Sequence, residues 1–192
     1  GANDWFDPAI DKMKLLVSTK KPWDAPAGLE RGKLIGRKDV EVVVLQGGRD
    51  LMYNGGNAIN PIVKFPGEGI VMWGQRTAQR ENTSLDRENV MDMVIQIRKD
   101  ILKSTRQYSF RPSDPITWSQ IVTAVKPYLQ DIKDNRGLLE FSVVADSTTN
   151  TQARQERGEI WIRVKLTPVK TGEIVVFELN VTNQSGTTSI GG

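Results

Sequence analysis

The sequence predicts an α/β fold of the α+β kind: a mixed, mainly antiparallel sheet packed with two main helices, and extended arms at the termini. Three observations carry this reading. Two long segments repeat apolar residues at helical spacing, several short Val/Ile-rich runs are bounded by Gly/Pro turns, and both ends are polar or irregular. At 192 residues the chain is long enough to bury a core without cross-links.

The elements follow in order. Residues 12–38 hold eight basic and two acidic residues along with Pro22, Pro26, Gly28, Gly32 and Gly36. Residues 12–17 fit a short helix or strand, and the remainder reads as an irregular segment laid over a surface. Val42, Val43, Val44 and Leu45 predict a strand over 39–45, followed by a loop at 46–50. Residues 59–65 read as extended, with Pro61 keeping them off a central ladder. Pro66, Gly67, Glu68 and Gly69 make a tight turn into a buried strand at 70–73.

The first main helix is expected over 86–106. Val90, Val94, Ile97 and Ile101 form its stripe, Met91, Ile95 and Leu102 widen it, and Ser84 or Asp86 caps it. The second starts at Asp114-Pro115 and carries Trp118, Ile121, Val122, Val125, Leu129 and Ile132 inward. Pro127 should kink or restart it, and Gly137 should stop it. Strands are expected over 139–145, 159–166 and 173–181, the last two as a hairpin, before a flexible tail over 183–192.

Composition subtracts chemistry. The chain has no cysteine and no histidine, so thiol nucleophiles, disulfides and imidazole bases or ligands cannot come from it. Lys+Arg 26 against Asp+Glu 23 leaves a net charge of +3, too small to call for nucleic acid. No apolar run approaches the ~20 residues of a membrane helix. Gly47-Gly48 and Gly67-Glu68-Gly69 lack phosphate-loop spacing and read as turns. Asp146, Asn150 and Glu156 could be drawn as oxygen ligands for a cation, but they lack the calcium-loop pattern and read as loop chemistry. Asp92 and Asp100 stand two helical turns apart, too far for a tight acid pair. Trp23, Trp73, Trp118 and Trp161 read as core or interface anchors. No catalytic, cofactor or metal residue is therefore assigned. A carboxylate enzyme and a non-polymerising α/β binding module stand as the competing classes.

A collinear set of short motifs carries more. Trp23-Asp24-Ala25-Pro26-Ala27-Gly28-Leu29-Glu30-Arg31-Gly32 resembles the W-x-A-P-A-G-x-x-R-G stretch of contractile tail sheath proteins. Asp50-Leu51-Met52-Tyr53 and Asn60-Pro61-Ile62 follow, and Phe65-Pro66-Gly67-Glu68-Gly69 through Trp73-Gly74-Gln75-Arg76-Thr77 is similar to F-P-G-x-G-x-x-x-W-G-x-R-T. Phe110-Arg111-Pro112-Ser113-Asp114 resembles F-E-P-N-D, and Asn150-Thr151, Pro168-Val169 and Glu173-Ile174 fit the last strands. The family's helix usually begins with an aromatic and several arginines, where this chain has Arg87 alone.

The resemblance implies a mechanical subunit without cofactor. It would polymerise with its own copies around a tail tube, meet baseplate and tail terminator, and contract to drive the tube through a cell envelope. It would belong to a virion and assemble in the host cytoplasm, without nucleic-acid contact or membrane insertion. A phage-tail-like bacteriocin or type VI secretion sheath is the near alternative. Such subunits are longer, so the chain is expected to be an inner, C-terminal piece: an extension at 1–22, the domain at 23–182 and a tail at 183–192. Lys99, Lys103, Arg106, Lys126 and Lys133 are the candidate tube-facing cations. Ile174, Val176, Phe177, Leu179 and Val181 are the candidate inter-subunit strand.

Overall fold

The computed structural model describes residues 7–54, 58–81, 83–172, 179–183 and 186–190. It is a mixed α+β fold in which two long helices pack on a two-stranded sheet, with a second hairpin and an N-terminal helix alongside. Helix α1 is Pro8–Ser18, α2 Gly28–Arg31 and α3 Gln46–Asn54; strands β1 Ile62–Phe65 and β2 Gly69–Met72 follow. Then come α4 Glu88–Thr105, α5 Pro115–Asp134, β3 Leu138–Val144, α6 Gln152–Glu156, β4 Arg163–Pro168, β5 Leu179–Asn183 and β6 Gly186–Ile190. Among the described residues the strands form three antiparallel pairs.

The main core lies between α4, α5 and the β3–β4 sheet. Met93 and Ile97 meet Ile121, Val125, Leu129 and Ile132, with Leu138 and Val143 beneath. Ile160, Ile162, Val164 and Leu166 close it, the alternating face expected of 159–166, although the ladder itself begins only at Arg163. On α4 the buried apolar positions are Val90, Met93 and Ile97, whereas Ile95 and Leu102 face outward. The stripe is thus narrower than the sequence suggested.

The start of α5 is as predicted. Asp114 accepts from the Thr117 amide at 2.8 Å, and Pro115 takes the first turn, where its missing N–H is harmless. Pro127 neither ends nor restarts α5, which continues seven residues beyond it to Asp134 and keeps Leu129 and Ile132 buried. The stop is Arg136, not Gly137. Arg136 takes φ 67°, its amide reaches Lys133 O and the Gly137 amide reaches Ile132 O, a Schellman closure. Gly137 is required for a different reason: a Cβ there would lie 2.9 Å from Trp23 and 2.7 Å from Ile132.

Several local readings are corrected. Residues 39–45 form no strand, and Val42, Val43 and Leu45 are about two-thirds or more exposed, because no second strand lies beside them. The loop expected at 46–50 is the start of α3. Neither Ser84 nor Asp86 caps α4; Thr83 caps a 3₁₀ turn over Ser84–Asp86, and Arg87 precedes α4 without a side-chain cap. β4 pairs with β3, and the hairpin expected between 159–166 and 173–181 involves residues 173–178, which lie outside the described residues. β5 and β6 pair as a hairpin from Leu179↔Ile190 to Asn183↔Gly186, so that Asn183 and Gly186–Ile190, expected in a flexible tail, lie in strands. Residues 12–17, read as a short helix or strand, are helical as part of α1, whose Leu15 packs with Leu34, Ile70 and Met72.

Candidate assembly surfaces

The densest motif, residues 60–77, folds into a bracket. β1 and β2 pair from Ile62↔Met72 to Phe65↔Gly69 around the turn, where Gly67 and Gly69 adopt φ 79° and 88°. These positive values are why the turn takes glycines. Phe65 meets Trp73 edge-on at 4.8 Å. Beyond the hairpin, Asn60 acts as a side-chain substitute for a strand. Its Oδ1 accepts from the Arg76 amide at 2.7 Å and its Nδ2 donates to Arg76 O at 2.9 Å. Gly74 is forced by that arrangement, since a Cβ would sit 2.8 Å from Asn60 Oδ1 and from the Tyr53 ring.

The bracket then grips the start of α4. The Thr77 amide donates to Asp86 O at 3.0 Å and the Glu88 amide to Gln75 O at 2.8 Å. Asp86, only 4% exposed, receives Arg76 at 2.5 Å and Arg87 at 2.8 Å. Arg76 also lies over the Tyr53 ring at 4.9 Å. A cavity of about 350 Å³, lined by Ala27, Tyr53, Trp73 and Arg76 among others, remains between α3 and the bracket.

The N-terminal motif has a matching role. Pro26 is fully buried, and Gly28 begins α2 at φ 81° with Ala27 before it. Gly32 passes so close to Met72 O that a Cβ would lie 2.6 Å away. Its own carbonyl accepts from the Met72 amide, and the Leu34 amide donates to Ile70 O, which adds a short third run beside β2. Asn89, buried on α4, donates to Trp23 O at 2.8 Å and to Thr171 at 3.1 Å, tying three distant segments together. α1 is fixed by Lys12–Glu88 at 2.5 Å and by Asp11, which Arg37 clasps through both carboxylate oxygens. The Arg37 hydrogen bonds hold the Asp11 carboxyl below the usual carboxylate range.

The charged candidates occupy a different surface. Lys99, Lys103 and Arg106 are exposed at i, i+4 and i+7 toward the end of α4, and Lys126 and Lys133 are exposed on α5. Lys99 and Lys103 both act on Asp100 between them. That carboxylate accepts from Tyr128 of α5 at 2.6 Å and from Gln96, and both bonds hold it low. Of the candidate strand, Leu179 and Val181 lie in β5, while Ile174, Val176 and Phe177 fall outside the described residues.

Asp146, Asn150 and Glu156 do not converge as a cation site. Asp146 accepts from Thr148 and Thr149, Glu156 receives Gln152, and fully buried Asn150 pins Trp161 through both backbone groups. Sequence reasoning missed Asp86, Asn89 and the Asp11–Arg37 pair.

This arrangement of bracket, helix pair and sheet is the fold of contractile-sheath domains. A chain of the anti-feeding prophage baseplate shares it at a TM-score of 0.76 and 24% identity, over 90% of this chain and 48% of that one. A chain of the PVC sheath complex, from an extracellular contractile injection system in its contracted state, shares it at 0.75 and 24%, over 89% and 48%. The chain belongs to the phage tail sheath C-terminal domain family, whose profile matches residues 80–182. It is 30% identical to the tail sheath protein of Vibrio phage KVP40 over 94% of its own length and 27% of that protein's. It is also 30% identical to the tail sheath protein of Enterobacteria phage T4, over 88% and 26% respectively. The chain therefore spans about a quarter of the length of these relatives.

Proposed function

We propose that the chain is the tube-proximal part of a contractile phage tail sheath subunit. It polymerises with its own copies around a tail tube and works mechanically, without catalysis or cofactor. The family match over 80–182 carries this reading, and the motif bracket that locks residues 60–77 onto α4 supports it. A sheath needs head-to-tail contacts that continue along a helix. It also needs rigid units that repack as bodies during contraction. Residues 23–182 are the proposed domain, and Ile174, Val176, Phe177, Leu179 and Val181, with the tail that follows them through Ile190, are the proposed arm or acceptor edge for strand addition to a neighbour. Two phage relatives at 30% identity favour a virion tail over the related injection systems.

Lys99, Lys103 and Arg106, with Lys126 and Lys133, are the proposed tube-facing cations. Exposed charges contribute little each and are screened by salt, which suits a grip that must let go. The test is co-assembly of full-length subunit and tube protein, followed by electron microscopy and sedimentation. Wild-type subunits should form sheathed tubes, and Lys99→Glu with Lys103→Glu should lower tube retention while subunits still associate. Retention unchanged by the double charge reversal would remove these residues from the interface.

A further inference from the structure

One edge of the bracket's sheet is open. The Trp73 amide donates to Pro61 O at 2.8 Å, so along the β1–β2 register the hydrogen-bonded pairs are 61/73, 63/71 and 65/69. The backbone groups of Ile62 and Lys64 therefore point away from β2. On the other side of β2 the matching positions are taken, because the Leu34 amide donates to Ile70 O and the Met72 amide to Gly32 O. Among the described residues no backbone group pairs with Ile62 or Lys64 on the outer side of β1.

The chain itself returns to this edge. It leaves β2 at Leu34, turns at Gly36 with φ 81°, and brings Asp39 Oδ1 to Lys64 Nζ at 3.0 Å. Val40 then packs on the same satellite core as Ile62. Leu34 lies opposite Ile70, beside the hairpin turn, so the chain rounds the turn end and next runs antiparallel to β1. The face shared by Val40 and Ile62 sets the register of a pairing there, with Val40 opposite Lys64 and Val42 opposite Ile62.

In this structure the pairing is not made. Asp39 Oδ1 accepts from the Val40 amide at 2.9 Å, the backbone bends at Glu41 and Val42, and Val42, Val43 and Leu45 stay exposed. A side chain that bonds a neighbouring amide competes with a strand ladder for it. The sequence favours the ladder. Val42, Val43, Val44 and Leu45 are apolar on both faces of a strand, which suits a sheet whose β2 buries Ile70 and Val71 on opposite faces.

We propose that residues 40–43 are a conditional strand that closes antiparallel onto the outer edge of β1, and that Asp39 holds it open at that edge. Closed, it covers backbone groups that would template pairing with another chain; open, it offers them. The device stands on the fold alone and not on the function proposed above.

The chain has no cysteine, so an introduced pair can report the closed form without competition. Val42→Cys with Ile62→Cys, oxidised in dilute solution, should form a disulfide within one chain, since a hydrogen-bonded antiparallel pair sets its Cα atoms about 5.5 Å apart. Val43→Cys with Ile62→Cys should not, because those side chains would lie on opposite faces. Amide hydrogen exchange gives the second reading. Val42→Pro removes a donor that the ladder needs. Relative to α5, the Ile62 and Lys64 amides should then exchange about tenfold faster than in wild type, the ratio that loss of two ordinary hydrogen bonds gives. No disulfide from the 42/62 pair, equal yields from both pairs, or exchange at Ile62 and Lys64 unchanged by the proline would each overturn the device. A disulfide joining two chains would do so as well, by placing the strand on a second copy.

Discussion

Asp86 is the residue on which the bracket and α4 converge. Two guanidiniums, from Arg76 and Arg87, close on one carboxylate that is almost fully buried. Removing one partner of a buried ion pair costs about 3–5 kcal/mol, because the remaining charge loses its compensation. Asp86→Asn keeps the shape and should lower urea stability by about that amount; a loss under about 1 kcal/mol would mean that water already shares the site. At Asp11 the sign of the pH dependence is fixed by Arg37, which depresses the folded pKa below the unfolded value. Its stability contribution is complete above the unfolded carboxylate range of about 4 and is lost as pH falls through the depressed folded value. Asp11→Asn should therefore flatten the acid limb of a stability–pH curve, and an unchanged limb would show that the pair is not coupled to folding. The motif letters Asn60, Gly74 and Arg76 were legible as a pattern. Their reason was not, because Asn60 makes its bonds 16 residues away and Gly74 is constrained by Tyr53.

At the scale of elements, helices were more legible than strands. Periodicity and caps are local, so Asp114-Pro115 and the apolar face of α5 could be read directly. A strand exists only with a partner. Residues 42–45 have strand composition without one, whereas Arg163–Pro168 has β3 to pair with. Side-chain packing, more than intrinsic preference, decides such cases. The contrast can be measured by urea unfolding. Val42→Thr with Val43→Thr, both exposed, should change stability by no more than about 0.5 kcal/mol each. Leu129→Ala, at 0% exposure in the main core, should cost about 2–5 kcal/mol. A large loss from the valine pair would show that residues 39–45 pack more tightly than their exposure indicates.

For the whole molecule, the division between body and arm is the feature that matters for assembly. The β5–β6 hairpin pairs only with itself among the described strands, whereas the body is closed by the α4–α5–β3–β4 core and by Asn89, Lys12 and Trp23 across its segments. Such a body should fold independently of the last residues, and an element with unpaired strand edges is suited to joining a neighbour's sheet. Deleting residues 179–192 from the full-length subunit should leave the thermal transition of the body within a few degrees of wild type, about what ±1 kcal/mol allows. The same deletion should abolish growth into tubes or rings, measured by light scattering and electron microscopy. Normal sheaths from the truncated subunit would remove the C-terminal arm from the assembly mechanism. A collapsed thermal transition would instead assign β5 and β6 to the body, and the connectivity of the lattice would then have to come from elsewhere in the subunit.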